Sequence, residues 1–289
     1  MSGDGELRVL DREQVEAYER DGFLFPIPLF DVDQANRWRT SLEAIEAAEV
    51  ERGGGVWHER SRSIRDPPEH PLGDWVEEIV RNPRILDLAE DLIGENLLVR
   101  NVDLFVKDGQ SNNGIGWHVD SNFNGIALKG VLNIWIALTT SYDGNGGVWF
   151  APGSHMRPAV PDGKEEDFTA AAESTADHRQ VVLAPGEVSI HHHRVLHRSR
   201  RNPTKERRIG VAVRYMSTEM DPEVACSGAG MVVRGSATGG RYSYGEHSST
   251  PFTWWKSIPR SPSAMDHEVA QEQRGRDLNP MGRGPKGPA

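Results

Sequence analysis

The stretch Gly116-Trp117-His118-Val119-Asp120 sets an imidazole and a carboxylate two residues apart. On an extended strand such residues leave the same face, so the two groups converge on one point. His197, in Leu196-His197-Arg198-Ser199 far along the chain, can supply a third ligand. Two histidines and one carboxylate form the facial set that leaves open positions on a non-haem Fe(II), the arrangement of an oxygen-activating site. The same trio could hold zinc with one water, a pattern of hydrolytic centres. A His-x-Asp pair on a plain surface is also common, so the pair needs company before it means anything.

That company lies downstream. Gly147-Val148-Trp149-Phe150-Ala151-Pro152-Gly153-Ser154-His155 is followed by Pro185-Gly186-Glu187-Val188-Ser189-Ile190, then His197, then Arg208 eleven residues on, opening an alternating stretch to Arg214-Tyr215. In order and spacing these motifs resemble the phytanoyl-CoA dioxygenase family of Fe(II)/2-oxoglutarate oxygenases. The likeness runs from Tyr18-Glu19-Arg20-Asp21-Gly22-Phe23 to Val233-Arg234-Gly235. The resemblance implies Fe(II) held by His118, Asp120 and His197, with 2-oxoglutarate as cosubstrate. It decides between iron and zinc.

A dicarboxylic cosubstrate gives its 2-oxo acid end to the metal, and its remote carboxylate then needs a cation, for which a guanidinium fork suits better than an ammonium. Arg208 stands where the family places that residue. Arg207 should point the opposite way on a strand, and Arg214, of the same parity as Arg208, lies six residues on, roughly 20 Å for an extended chain. The resemblance also assigns Ser199 to the cosubstrate, together with Asn101 and Asn133 from the two strands flanking the metal pair, and Trp135 to the wall of the pocket that holds it. It makes His155 part of a structural turn. His191-His192-His193 looks metal-binding, but adjacent strand residues point to alternate faces and cannot all chelate one ion.

The carboxylate of Asp120 argues against a halogenating relative, in which a small residue vacates that position for halide. The implied function is hydroxylation of an unactivated C–H bond of a small-molecule substrate, a specialised metabolite by preference, using O2 and releasing succinate and CO2. The alternatives are a desaturase or cyclase with the same iron site, or a non-catalytic jelly-roll protein that binds a metal or ligand.

Composition bounds the partners. The 289 residues carry a formal charge of −10, which argues against nucleic acid or an anionic membrane surface. One cysteine, Cys226, cannot form an internal disulfide, and the start Met1-Ser2-Gly3-Asp4-Gly5-Glu6 has no apolar run. With nowhere about 18 consecutive apolar residues, the expectation is a cytoplasmic protein.

Helices should come first. Asp11 with Gln14 and Asp31 with Gln34 are capping pairs, the second opening a helix with Ala35, Trp38, Leu42 and Ile45 on one face. Phe23-Leu24-Phe25 reads as a strand closed by Pro26 and Pro28. Residues 56–71 read as a loop in which Trp57 and His58 have no role. Trp75, Val76, Ile79 and Val80 make a stripe, and Asn82-Pro83 begins a helix that stops at Gly94. From Leu97 the period becomes two, with strands expected at 115–120, 130–139, 147–151, 181–184, 187–197 and 208–216. The pattern is α+β, and the resemblance sharpens it to a double-stranded β-helix, a cupin-like jelly roll with flanking N-terminal helices. One dioxygenase domain is expected over 1–260, a flexible tail over 261–289, and a polar insertion at 161–179 forming a mobile lid.

Overall fold

The computed structural model describes residues 7–52, 61–63, 72–120, 130–157, 165–175, 177–220, 229–236 and 243–244. Trp57, His58, Cys226 and the tail 261–289 lie outside the described residues. Chain order runs α1 (Arg12–Asp21), β1 (Phe23–Pro28), α2 (Val32–Glu51), β2 (Ser61–Ser63), α3 (Leu72–Val80), α4 (Pro83–Ile93), β3 (Leu97–Lys107), β4 (Ile115–His118), β5 (Val131–Ala137) and β6 (Val148–Phe150). It continues with α5 (Glu165–Glu173), β7 (Arg179–Gln180), β8 (Glu187–His192), β9 (His197–Ser199), β10 (Arg208–Ser217), β11 (Ala229–Arg234) and β12 (Ser243–Tyr244). This is an α+β chain in which α1 to α4 precede β3 and α5 interrupts the later strands.

The caps explain where helices begin. In α1 the Asp11 carboxylate accepts from Gln14 N at 2.8 Å while the Gln14 side chain accepts from Asp11 N at 2.9 Å. Asp31 caps α2 and Asn82 caps α4 by the one-way bond alone, each side chain accepting from an orphan N–H for about 1 kcal/mol. Gly22, with φ 84°, ends α1 in the left-handed region that a glycine enters freely.

Two sheets carry the rest. The larger has the order β1-β8-β5-β10-β3-β11-β12, with β2 also on β3; the smaller has the order β4-β9-β6-β7. Every pairing is antiparallel except β11 with β12. Alternation sorts the faces of the larger sheet. Ile209, Val211, Val213 and Tyr215 of β10 pack into a core with Trp38, Leu42, Trp75, Val76 and Ile79 from the helices. Burying each such aliphatic side chain contributes about 1.5–3 kcal/mol. Two tryptophan N–H groups tie the helices, Trp75 Nε1 to Trp38 O and Trp38 Nε1 to Glu78, and Tyr215 Oη donates to Val80 O. The opposite face looks toward the smaller sheet, where Phe23, Trp135, Ala137, Phe150 and Val195 form a second cluster with Phe105 and Ala212 against it.

Four expectations change. The loop expected over 56–71 contains a strand, because Ser61–Ser63 pair with β3 as β2. The first strand runs on through Pro26 to Pro28, because β1 is an edge strand whose register slips between Leu24 and Ile27, where missing N–H groups cost no ladder bond. Residues 181–184 make no strand beyond an isolated bridge from Leu183 to Ser141, the strand lying instead at Arg179–Gln180. The single strand expected over 187–197 is two: β8 stays in the larger sheet, Val195 N turns back to His192 O, and β9 enters the smaller one. Alternation alone cannot reveal this change of sheet, because the apolar residues Val195 and Leu196 in the crossing look like more strand.

Candidate metal centre

The smaller sheet brings the ligands together. His118 ends β4 and pairs with His197, which begins β9, placing the two rings 4.1 Å apart. Asp120 follows two residues later, and one ligand atom from each of His118, Asp120 and His197 lies within 4.8 Å of the others. Each histidine turns Nδ1 to a carbonyl, His118 to Gly116 O at 2.9 Å and His197 to Val195 O at 3.0 Å. With Nδ1 donating, Nε2 keeps its lone pair for a cation.

Electrostatics keeps the trio deprotonated. Burial, reinforced by His197, pushes the His118 pKa down to about 4. Burial also lowers His197, against the opposing pull of Asp120. Burial alone would raise Asp120, but His197, His191 and Arg214 outweigh it and hold the carboxyl well below its usual range. Two neutral imidazoles and one carboxylate at neutral pH fit a divalent cation that accepts nitrogen and oxygen donors.

Asp120 is surrounded by donors. Its Oδ2 accepts from Asn133 Nδ2 at 2.6 Å and faces His191 Nε2 at 3.1 Å, while Oδ1 lies 3.8 Å from His197 Nε2 and 3.5 Å from Arg214 Nη2. Arg214 Nε also donates to Asn133 Oδ1 at 3.1 Å. The β5–β8 and β5–β10 ladders set this up by placing Asn133 directly between His191 and Arg214.

Farther along the same face lies a pair of buried cations, Arg208 and Lys107. Arg208 is 1% exposed, and its Nε and Nη1 have no hydrogen-bond partner among the described residues. Burial pushes its pKa down to about 10, so it remains charged at neutral pH. A buried guanidinium with idle donors is costly unless an anion completes it. Its Cζ lies 5.3 Å from the Trp135 ring centroid. A Cβ on Gly210 would meet Trp135 Cζ2 at 1.9 Å, so only glycine lets the indole lie over β10. Lys107, opposite Arg208 in the β3–β10 ladder, donates to Ser199 Oγ at 2.8 Å and to Arg200 O. Ser199, two residues after His197, therefore joins the metal side to the cationic side.

Of the remaining residues singled out in the sequence, Asn101 donates to Asp103 at 2.6 Å and sits across the ladder from Arg214. Arg207 faces away from the site, forking onto Glu46 at 2.9 and 3.0 Å and reaching Asp108 at 2.7 Å, which ties β10 to α2. His155 contacts Glu19 O at 3.1 Å, in keeping with a structural turn. Sequence reasoning passed over Lys107, although it shares parity with Asn101 and Phe105, and His191, dismissed with its two neighbours though their alternation left one free to face the site.

The insertion differs from its expectation. Its described residues, 165–175 and 177–179, include α5, whose Phe168 and Ala172 are buried with Trp117, Ala151 and Leu196 on the back of the strand that carries His118. This part is a docked helix rather than a free loop. The apolar spacing of Phe168 and Ala172 signals it, and a count of charges hides it.

The family model described as Phytanoyl-CoA dioxygenase (PhyH) matches residues 18–210. An ectoine dioxygenase of Streptomyces coelicolor is 29% identical over 148 residues, 49% of this chain and 50% of that protein. A probable alpha-ketoglutarate-dependent hypophosphite dioxygenase of Stutzerimonas stutzeri is 27% identical over 207 residues, 67% of this chain and 71% of that protein. The chain thus spans about half the length of several curated relatives that it matches. Among solved structures, one described as "non-heme monooxygenase; ThoJ apo" shares the fold, with a TM-score of 0.66 at 24% identity, covering 91% of this chain and 96% of that one.

Proposed function

Because the chain belongs to the phytanoyl-CoA dioxygenase family, we propose that it is an Fe(II)- and 2-oxoglutarate-dependent dioxygenase that hydroxylates an unactivated C–H bond of a small molecule. The two facing sheets are then the double-stranded β-helix of such enzymes, within one domain over 1–260. His118, Asp120 and His197 hold the iron; Arg208 receives the remote carboxylate of 2-oxoglutarate, with Ser199 and Lys107 beside it. The observation that carries the reading is the idle guanidinium of Arg208 on the face that also bears the neighbours of the metal trio.

When bound, iron and cosubstrate supply the activation of O2 and the abstraction of hydrogen. One oxygen atom ends in the substrate hydroxyl and the other in succinate, and the cosubstrate's C1 leaves as CO2. The chain's own residues orient and shield. The guanidinium fixes one end of the cosubstrate, Trp135 walls the channel, and Phe23, Phe105 and Phe150 keep the space between the sheets apolar. Asn133, which the resemblance assigns to the cosubstrate, also orients the metal carboxylate by donating to Asp120.

The substrate is a small molecule of specialised metabolism. Relatives named for ectoine and for hypophosphite support the small-molecule class. No helix of the described residues is long and apolar enough to cross a membrane. Succinate release, followed with a panel of candidate substrates, tests the reading. Release should require Fe(II), O2 and 2-oxoglutarate and rise with the true substrate. A folded protein that releases none under any of these conditions would be a binding protein.

A further inference from the structure

We infer that His191 is a positioning residue which, together with Asn133, fixes Asp120 as a one-oxygen metal ligand. The inference rests on the iron reading above and concerns how this chain prepares its carboxylate.

The donors can be assigned atom by atom. Arg214 Nε donates to Asn133 Oδ1, which orients the amide so that Nδ2 faces Asp120 Oδ2. A carboxylate only accepts, so the His191 nitrogen facing it at 3.1 Å, Nε2, carries the ring proton. Asn133 Nδ2 and His191 Nε2 are 3.2 Å apart, two donors converging on one oxygen rather than bonded to each other. Oδ2 is thereby taken by two hydrogen-bond donors, and Oδ1, with Arg214 Nη2 at 3.5 Å, is the oxygen on the side of His197.

The other side of the imidazole points to the same role. His191 is 7% exposed, and its Nδ1 is buried with no partner among the described residues. Its ring packs 5.2 Å from Phe150 and 5.1 Å from His197. A phenylalanine would suit that apolar setting without an orphan nitrogen, so the imidazole is explained by what Nε2 does for Asp120. A carboxylate held this way does not turn its second oxygen to the metal, and the coordination position that chelation would fill stays open. Partners that orient ligands in this manner tune metal affinity.

The test uses Co(II) as probe, with the full chain and without oxygen. H191F and H191L remove the donor, while H191Q restores an N–H at the reach of Nε2. The donor-free variants should bind Co(II) about 10- to 100-fold more weakly and change its visible d–d absorption, while H191Q stays within about threefold with the parent spectrum. The metal-free proteins should unfold at or above the parent temperature, so that the loss cannot be assigned to the fold. Parent affinity and spectrum in whichever of H191F and H191L folds, or equal loss in H191Q, would overturn the inference. D120A distinguishes the two levels. If D120A abolishes Co(II) binding while H191F does not weaken it, only the role of His191 falls; if D120A leaves binding unchanged, the metal reading falls as well.

Discussion

Lys107 and Arg208 stand opposite each other in the β3–β10 ladder, both buried, and among the described residues Lys107 donates to neutral oxygens alone, Ser199 Oγ and Arg200 O. Two adjacent cations in a space of low dielectric repel each other unless an anion joins them. Burial, reinforced by the nearby Arg208, pushes the Lys107 pKa down to about 7. The dianionic cosubstrate of the proposed reaction is the natural third party.

A pH dependence follows. A bound carboxylate raises the Lys107 pKa, so 2-oxoglutarate binds best with the lysine protonated. Affinity should be fully present below about pH 7 and fall by up to about tenfold per unit above it, until the pKa of the complex is reached. K107M should weaken binding more at about pH 6 than at about pH 9 and flatten this part of the profile. Isothermal titration of the metal-loaded protein reads both, and a K107M profile parallel to the parent's would contradict the assignment.

Arg208 and Arg214 separate by function. R208A should raise the 2-oxoglutarate requirement by some tens of fold or more, since losing a buried charged partner costs about 2–5 kcal/mol. R214A should leave that requirement near the parent's and weaken metal binding, because Arg214 touches Asp120 and Asn133 rather than the inner pocket. The opposite pattern in steady-state saturation curves would exchange their roles.

Of the distal histidines, H197A should abolish metal binding, whereas H193A should retain it within about threefold, as a residue outside the ligand set. Anaerobic iron titration distinguishes them. Retained binding in H197A, with loss in H193A, would move the third ligand.

The helix in the insertion should behave as structure. Amides of α5 should be protected from hydrogen exchange before any ligand is added, and F168A should destabilise the protein by about 3 kcal/mol by opening a cavity against Trp117 and Leu196. Exchange at free-peptide rates across Glu165–Glu173 would restore the mobile-lid expectation.

Local chemistry was legible where a few neighbours decide it. Asp11, Asp31 and Asn82 cap their helices as their spacing implied, and parity put Arg207 outside and Arg208 inside. What could not be read depends on which strands become neighbours. The change of sheet between His192 and His197 leaves no mark in the alternation, and it is what lets His191 and His197 approach one carboxylate from two sheets. Lys107 was hidden for the same reason, since its meaning comes from Arg208, about a hundred residues away and opposite in the ladder.

If one site holds both Fe(II) and a chelating 2-oxo acid, adding the two without oxygen should produce the visible charge-transfer band that arises when a 2-oxo acid chelates Fe(II). The parent should develop the band, D120A and H197A should not, and R208A should need far more 2-oxoglutarate to reach it. A folded parent without the band at saturating concentrations, or a D120A variant with the band undiminished, would rule out this iron and 2-oxo acid site.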